Sequence, residues 1–411
     1  MSQPGPLEWP PTRAEALRRL DDFLPRAGRD YAESRNYDLG PGDRSNVSAL
    51  SPYLRHRLLT EQEVVAAAID RHGPRSAEKF IGETCWRTYW KGWLELRPGV
   101  WSDYRAEVRR LVDSLDRDRS LRAGFEAATS ADSGIGCFDS WAREVVQVGY
   151  LHNHARMWFA SLWIFTLKLP WALGADFFLR HLMDGDPASN TLSWRWVAGL
   201  QTKGKTYLAT AGNIARFTEG RLKPTGRMAA VAGPVEGPPV PAWRPLLAPD
   251  EPDARRPYAL LLTEEDLAIE SLDLPPGPPA GVAGVLATEG RSPLEVDALV
   301  GRFEEGAMTD ALARAGSRFG VPAVRLEGDG IEAVRSWVAG LGVDQVVTPF
   351  VPVGPARERL EPLRTALDRG GIRLVQVRRR WDEELWPHAT AGYFAFKKGL
   401  EATLARPGLI H

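Results

Sequence analysis

The chain is predicted to fold as an all-helical domain followed by an α/β domain on a doubly wound parallel sheet. Three observations lead there. From residue 12 to about 223, apolar residues recur at three- and four-residue spacing, as in EQEVVAAAIDRH, WRTYWKGWLEL and SWAREVVQVGYLHNHARMWFASLW. Breakers then crowd the stretch AAVAGPVEGPPVPAWRPLLAPDEPDARR, whose proline density reads as a stiff, extended linker. Beyond it, five short apolar runs (YALLL, VAGVLA, AVRLE, DQVVTPF and IRLVQV) alternate with amphipathic segments (EVDALVGRFEEGAMTDALARAG, GIEAVRSWVAGL and ARERLEPLRTALDRG). Strands alternating with helices imply a parallel sheet. The expected organisation is a helical domain at 12–228, a linker at 229–256 and an α/β domain at 257–411.

Composition narrows the class. A chain of 411 residues, 44% hydrophobic and 26% charged, has length for two or three domains and a sizeable core. No window reaches the roughly 18 uncharged apolar residues that a membrane span needs. The start, MSQPGPLEWPPTRAE, lacks the basic-then-apolar form of a signal peptide, so a cytoplasmic protein with no membrane partner is expected. Two cysteines, Cys85 and Cys137, cannot make a four-ligand zinc or iron–sulfur site by themselves, and no metal is expected. The net charge of −1 hides an asymmetry: residues 1–228 carry 32 Lys and Arg against 27 Asp and Glu, and the remainder is acidic. The first half also holds eleven of the fifteen Trp. A basic, Trp-rich half suits nucleic acid or a nucleotide, and equally a large helical domain with a Trp core.

The densest chemistry lies between Gly149 and Gly199. In DGDPASN, two Asp flank a Gly ahead of a Pro that stops any preceding helix. This reads either as an Asx turn between helices or as paired carboxylates with a nearby amide set beneath a heterocycle, whose ring nitrogens they would tune. In GYLHNHARM the spacing of His152, Asn153, Arg156 and Met157 gathers polar groups on a helix. His152 and His154 stand two apart and are expected on different sides, against a helical zinc pair. Arg156 can pair with Asp184 if their helices meet. GLQTKGKT, residues 199–206, satisfies the P-loop pattern, but that loop needs a preceding strand, and SWRWVA before it reads as helix.

These motifs together resemble the flavin-binding helical domain of the photolyase/cryptochrome family. SNVSALSPYLRHRLLT resembles the family's phosphate-gripping segment, EKFIGETCWRTYW its Glu-x-x-Trp-Arg helix, and RDYAESRNYD the Tyr and Arg segment that opens the domain. The motifs follow in family order over about residues 22–220. The resemblance implies FAD as cofactor. Tyr31, Ser48, Leu50 and Ser51 would hold its pyrophosphate and ribitol. Asn153, Arg156, Asp184 and Asp186 would line the isoalloxazine and adenine, with Arg87 a further cationic position. Asn190 would face flavin N5. Trp194 and Trp171 match the first two members of an electron-hopping Trp chain, and Trp101 is a candidate third. Glu83, Trp86, Asn153, Met157 and Trp196 match the pocket that receives a flipped pyrimidine dimer, with Arg35 near the lesion phosphate. Two Trp faces would hold a bulky, unstacked dimer by stacking. The alternative reading of Trp86 and Trp196 is core packing.

The order of domains departs from the family, whose α/β antenna domain comes first. YALLLTEEDLAIES and HATAGYFAFKKGLEATL still resemble strand and closing segments of that Rossmann-like domain, so a circular permutation is inferred, with 229–256 as the new join. Glu264 and Glu265 replace the family's basic residues, and a second, antenna chromophore is left uncertain. The expected activity is a light-driven DNA repair lyase, a deoxyribodipyrimidine photolyase-like carbon–carbon lyase. It would act as a monomer on damaged DNA, splitting cyclobutane pyrimidine dimers by electron transfer from reduced FAD. The alternatives are a cryptochrome-like blue-light photoreceptor without repair activity and a non-photochemical flavin-binding protein.

Overall fold

The computed structural model describes residues 9–224, 228–327, 330–404 and 406. The first residues of the start read against a signal peptide, residues 225–227 just before the expected boundary at 228, and the end of the expected 257–411 domain lie outside the described residues.

The helical half contains α1 (Arg13–Phe23), α2 (Arg29–Ser34), α3 (Ser51–Arg55), α4 (Glu61–Ser76), α5 (Glu78–Glu95), α6 (Gly99–Leu115), α7 (Arg119–Thr129), α8 (Gly136–Val148), α9 (Asn153–Ser161), α10 (Trp171–His181), α11 (Pro187–Val197) and α12 (Ala211–Phe217). Local chemistry sets their ends. Thr60 and Glu63 form a reciprocal capping box at the start of α4. Asp186 caps α11 by accepting from Ser189 N at 2.7 Å, with Pro187 at the first helical position. The run SWAREVVQVGYLHNHARMWFASLW is not one helix: α8 stops where Gly149 turns left-handed (φ 66°). The chain then re-enters α9 through His152, an extended N-cap (ψ 138°) that accepts from His154 N.

That break corrects the histidine expectation. Because His152 lies outside the helix, both rings reach one neighbouring segment. His152 Nε2 lies 3.1 Å from the carbonyl of Arg35 and His154 Nδ1 lies 2.9 Å from that of Asn36. Among the described residues no group of three or more His, Cys, Asp or Glu is placed to hold a metal ion. GLQTKGKT follows helix α11 rather than a strand, which removes the P-loop reading. Trp141, Trp158 and Trp163 are fully buried and account for part of the Trp enrichment as core.

Residues 229–257 contain no regular element, yet they are laid along the helical domain: Val235 N donates to Ala198 O at 3.0 Å and Arg244 N to Leu96 O at 2.9 Å. The five expected strands form as β1 (Ala259–Thr263), β2 (Val282–Val285), β3 (Ala323–Arg325), β4 (Gln345–Pro349) and β5 (Arg373–Val377), all parallel, in the order β3-β2-β1-β4-β5. Helices α13 (Ala298–Phe319), α14 (Ile331–Leu341) and α15 (Pro355–Arg369) cross over between strands, and α16 (Arg380–Leu385) and α17 (Tyr393–Leu404) follow β5. β1 is buried along its whole length because both faces are covered. Leu260 and Leu262 point to α13 and into the core shared with the helical domain, whereas Ala259 and Leu261 pack with Val334 of α14 and Leu360 of α15.

The carboxyl edge of the sheet faces the helical domain. After β1, Glu265 meets Arg55 at 2.8 Å; after β4, Val353 N donates to Glu95; after β5, Asp382 meets Arg57 at 2.7 Å. α5 packs there without clearance: a Cβ on Gly92 would stand 2.9 Å from Trp386 Cα, a backbone atom that cannot swing aside. Gly92→Ala is expected to lower stability by on the order of 1–2 kcal/mol despite Ala's better helix propensity. On α13, Gly301→Ala meets nothing within 4 Å and is expected to leave stability unchanged or raised. Paired thermal melts check both.

Candidate functional site

Glu83, Arg87 and Lys91 follow one another at four-residue steps on α5 and form a single ridge. At its outer end Glu83 pairs with Arg35 at 2.6 Å, both side chains about a quarter exposed (29% and 24%). Burial pushes the Glu83 carboxyl above its ordinary range, with Arg35 opposing. In the middle, Arg87 pairs with Glu61 and donates to the Arg55 carbonyl at 3.0 Å. At the inner end Lys91 Nζ stands 3.0 Å from Asp186 and 3.0 Å from Glu265, all three side chains within 3% of full burial.

The resemblance sets Arg87 and Asp186 against a cofactor; in the structure Arg87 pairs with Glu61 inside the helical half, and Asp186 stands at the domain interface. Asp186 spends one oxygen on the α11 cap and turns the other to Lys91. The reason is Glu265, a second carboxylate brought in by the sheet: a lysine buried between two acids must be matched to both. Burial pushes Asp186 and Glu265 up, but Lys91 and Arg55 outweigh it and hold Asp186 well below the carboxylate range and Glu265 at about 2. The adjacent Glu264 has no cation of its own. Burial, then Glu304 and Glu265, push it up to about 8.

A second cluster lies where α9, α10 and α11 meet α3. Arg156 donates to both oxygens of Asp184 at 3.0 and 2.8 Å, so the anticipated pair forms, and the Ser51 hydroxyl donates to the same carboxylate. Arg156 keeps 23% of its side-chain surface open. Ser48, Ser51, Met157 and Asn190 are likewise half-buried, and Asn153 is exposed. Asn190 Nδ2 donates to Ala175 O at 2.7 Å, which fixes the amide and leaves its oxygen as an acceptor. Between Ser48 and Leu50, Ala49 sits at φ 50° and Leu50 in the right-handed region, a sequence of conformations that turns consecutive N–H groups toward one concavity. α3 is one turn long, so any preference for phosphate there rests on these amides and hydroxyls rather than on a helix dipole. Tyr31 lies among Phe23, Phe80 and the Arg35–Glu83 pair.

The aromatic residues divide. Trp194 and Trp171 are buried at 2% and 9% exposure. The Trp194 ring lies on Gly174, where a Cβ would come within 2.3 Å of it, and so rests on the first turn of the helix that Trp171 opens. The two Trp expected to clasp a substrate do not stack on each other. Trp86 stacks on Tyr393 of α17 (3.6 Å between centroids, 9° between planes), and Trp196, 36% exposed, stacks on Tyr207 (5.7 Å, 28°). Lys91, Glu265, Tyr207 and Tyr393 are the residues sequence reasoning missed. Lys91 alone left a signal, a lysine one turn past Arg87 on a largely apolar helix.

At the carboxyl ends of β1 and β2, Glu264, Val285, Gly330 and Arg359 line a crevice of about 10 Å³. No described helix is long and apolar enough to cross a membrane.

Residues 80–220 match the family model described as the FAD binding domain of DNA photolyase. The chain is also similar to deoxyribodipyrimidine photo-lyases. The identity is 35% over 190 residues with that of Streptomyces griseus, covering 46% of this chain and 39% of that protein. With that of Thermus thermophilus it is 32% over 232 residues, covering 54% and 51%. Among solved structures, a bacterial class III photolyase from Agrobacterium tumefaciens is 28% identical with a TM-score of 0.43, covering 51% of this chain and 43% of that one. A Synechocystis cryptochrome is 22% identical with a TM-score of 0.41, covering 51% and 43%. The chain spans about half the length, or less, of the curated relatives it matches.

Two outcomes are expected of the charge network. Lys91→Met strands two buried carboxylates and should cost about 3–5 kcal/mol, part of it restored by adding Glu265→Gln, as read from denaturant unfolding. Glu264 has a folded value raised above its ordinary 4.5 to about 8, so its contribution is complete below pH 4.5 and is lost as pH rises through 8. Glu264→Gln should therefore flatten the stability profile between those two values.

Proposed function

We propose that the helical half binds FAD and that the protein is a light-driven DNA lyase splitting cyclobutane pyrimidine dimers. The supporting observation is the clamp of Arg156, Asp184 and Ser51, with Arg156 and Ser51 half-buried, the Asn190 amide fixed by Ala175 O and Trp194 buried. The donor set suits the group: hydroxyls and amides at Ser48–Ser51 for a pyrophosphate, a half-open guanidinium, and an amide oxygen free to accept from a ring N–H. When bound and reduced, FAD would supply the photoexcited electron. The chain's own residues would do the rest. Asn190 would hold the N5 edge; Trp194 and Trp171 would carry electrons inward; Asn153 and Met157, one turn apart on α9, would meet a base turned out of its stack. Glu83, partly desolvated and bonded to Arg35, would donate to a dimer carbonyl when protonated. The domain limits 12–228, 229–256 and 257–411, the circular permutation and a monomeric state are carried within this proposal, as is damaged DNA as partner.

A cryptochrome-like photoreceptor without repair activity is the second reading, and one contact favours it: one face of Trp86 is taken by Tyr393. The deciding assay illuminates the reduced, flavin-loaded protein with an oligonucleotide containing a pyrimidine dimer. Loss of dimers under light is expected; dimers surviving illumination would move the assignment to the receptor. Trp196→Ala should weaken lesion affinity by about one stacking interaction, 1–3 kcal/mol, with flavin content unchanged. Flavin loss in that variant would mark Trp196 as part of the fold instead.

A further inference from the structure

The aromatic path beyond Trp171 reaches the candidate Trp101 through a ring that the sequence reading did not name, Tyr104. The Tyr104 ring lies 5.7 Å from that of Trp171 (35° between planes), and the Trp101 ring lies 5.4 Å beyond Tyr104 (42°). Both are buried, at 1% and 3% exposure. The two differ in what their oxidation would require. A phenol that loses an electron must also lose its proton, and the Tyr104 hydroxyl is buried with no hydrogen-bond partner. Trp101 is provided for: its Nε1 donates to Glu358 Oε1 at 2.7 Å. Glu358 comes from α15 of the α/β domain and keeps 41% of its side chain open to water. Arg105 stands 5.6 Å from the centroid of the Trp101 ring and 3.6 Å from the second oxygen of Glu358. A cation so close disfavours a positive charge resting on the indole and so favours loss of the Nε1 proton.

We propose that Trp101 is the terminal electron donor of the path and that Glu358 accepts its proton. One electron leaves Trp101, passes the Tyr104 ring and refills Trp171, which has refilled Trp194 after that residue reduced an oxidant in the flavin position. The Nε1–H bond of Trp101 breaks, an O–H bond forms on Glu358, and the neutral indolyl radical remains. Glu358 releases the proton to water, and an external thiol later returns one electron and one proton to Trp101. The α/β domain thereby supplies a working group to the redox chain of the helical domain. The inference rests on the reading that residues 80–220 bind FAD.

Flash photolysis of the protein holding oxidised flavin, followed by transient absorption and electron paramagnetic resonance, tests it. The wild type should give a long-lived neutral tryptophanyl radical. Glu358→Gln keeps an acceptor oxygen but takes no proton; it should lose the neutral-radical band and show a short-lived radical cation. Trp101→Phe should abolish the long-lived radical, and Tyr104→Phe, which keeps the ring, should preserve it. An unchanged neutral radical in Glu358→Gln overturns the proposal. A preparation without flavin overturns the functional reading instead. The proton transfer is then read in the apoprotein with a soluble ruthenium photo-oxidant, where the same contrast between wild type and Glu358→Gln must appear or the proposal falls.

Discussion

Lys91 is the fastening on which the arrangement of the two halves depends. Its ammonium, almost wholly removed from water, is shared between Asp186 of the helical domain and Glu265 of the sheet. A single buried cation between two acids from different domains costs much in desolvation and gains it back only in one geometry. It therefore selects a relative placement more than it adds stability. Around it the same logic repeats: Arg57 meets Glu61, Asp266 and Asp382, and Arg379 meets Asp266 at 2.6 Å. The carboxyl edge of the parallel sheet, where folds of this kind usually take a ligand, is spent here on holding a neighbour.

That expenditure explains why Asp186 does one thing and Asp184 another, though they stand two residues apart. Asp184 is claimed by Arg156 and Ser51 of the helical half. Asp186, past the turn at Gly185, caps α11 and faces the sheet. A helix whose first turn is fixed by a cap on one side and an ion pair on the other presents Asn190, Trp194 and Trp196 from a rigid base, and Asn190 gains a further tie to Ala175.

Much of this was legible in the sequence, because period and composition carry it. The five strands were readable as short apolar runs, since a sheet covered on both faces needs no alternation. The amphipathic runs that became α13, α14 and α15 kept their helical spacing. The pairing of Arg156 with Asp184 was legible from charge alone. Some of what periodicity missed was local: Gly149 broke a run that it joined, and His152 left its helix as a cap. The rest were partners distant in the chain, Tyr393 for Trp86 and Glu265 for Lys91. Side-chain type announces a capability; only the fold decides which neighbour uses it.

The proline-rich stretch bonds to both halves: Val235 and Arg244 donate to helical-half carbonyls, while Asp250 accepts from Gln376 N and Arg378 donates to Leu247 O. The buried charges, Trp381 and Phe396 join the halves directly as well. Protease nicking anywhere in that crossing would leave two fragments that travel together, and the halves made as separate polypeptides would find each other and reconstitute the same body.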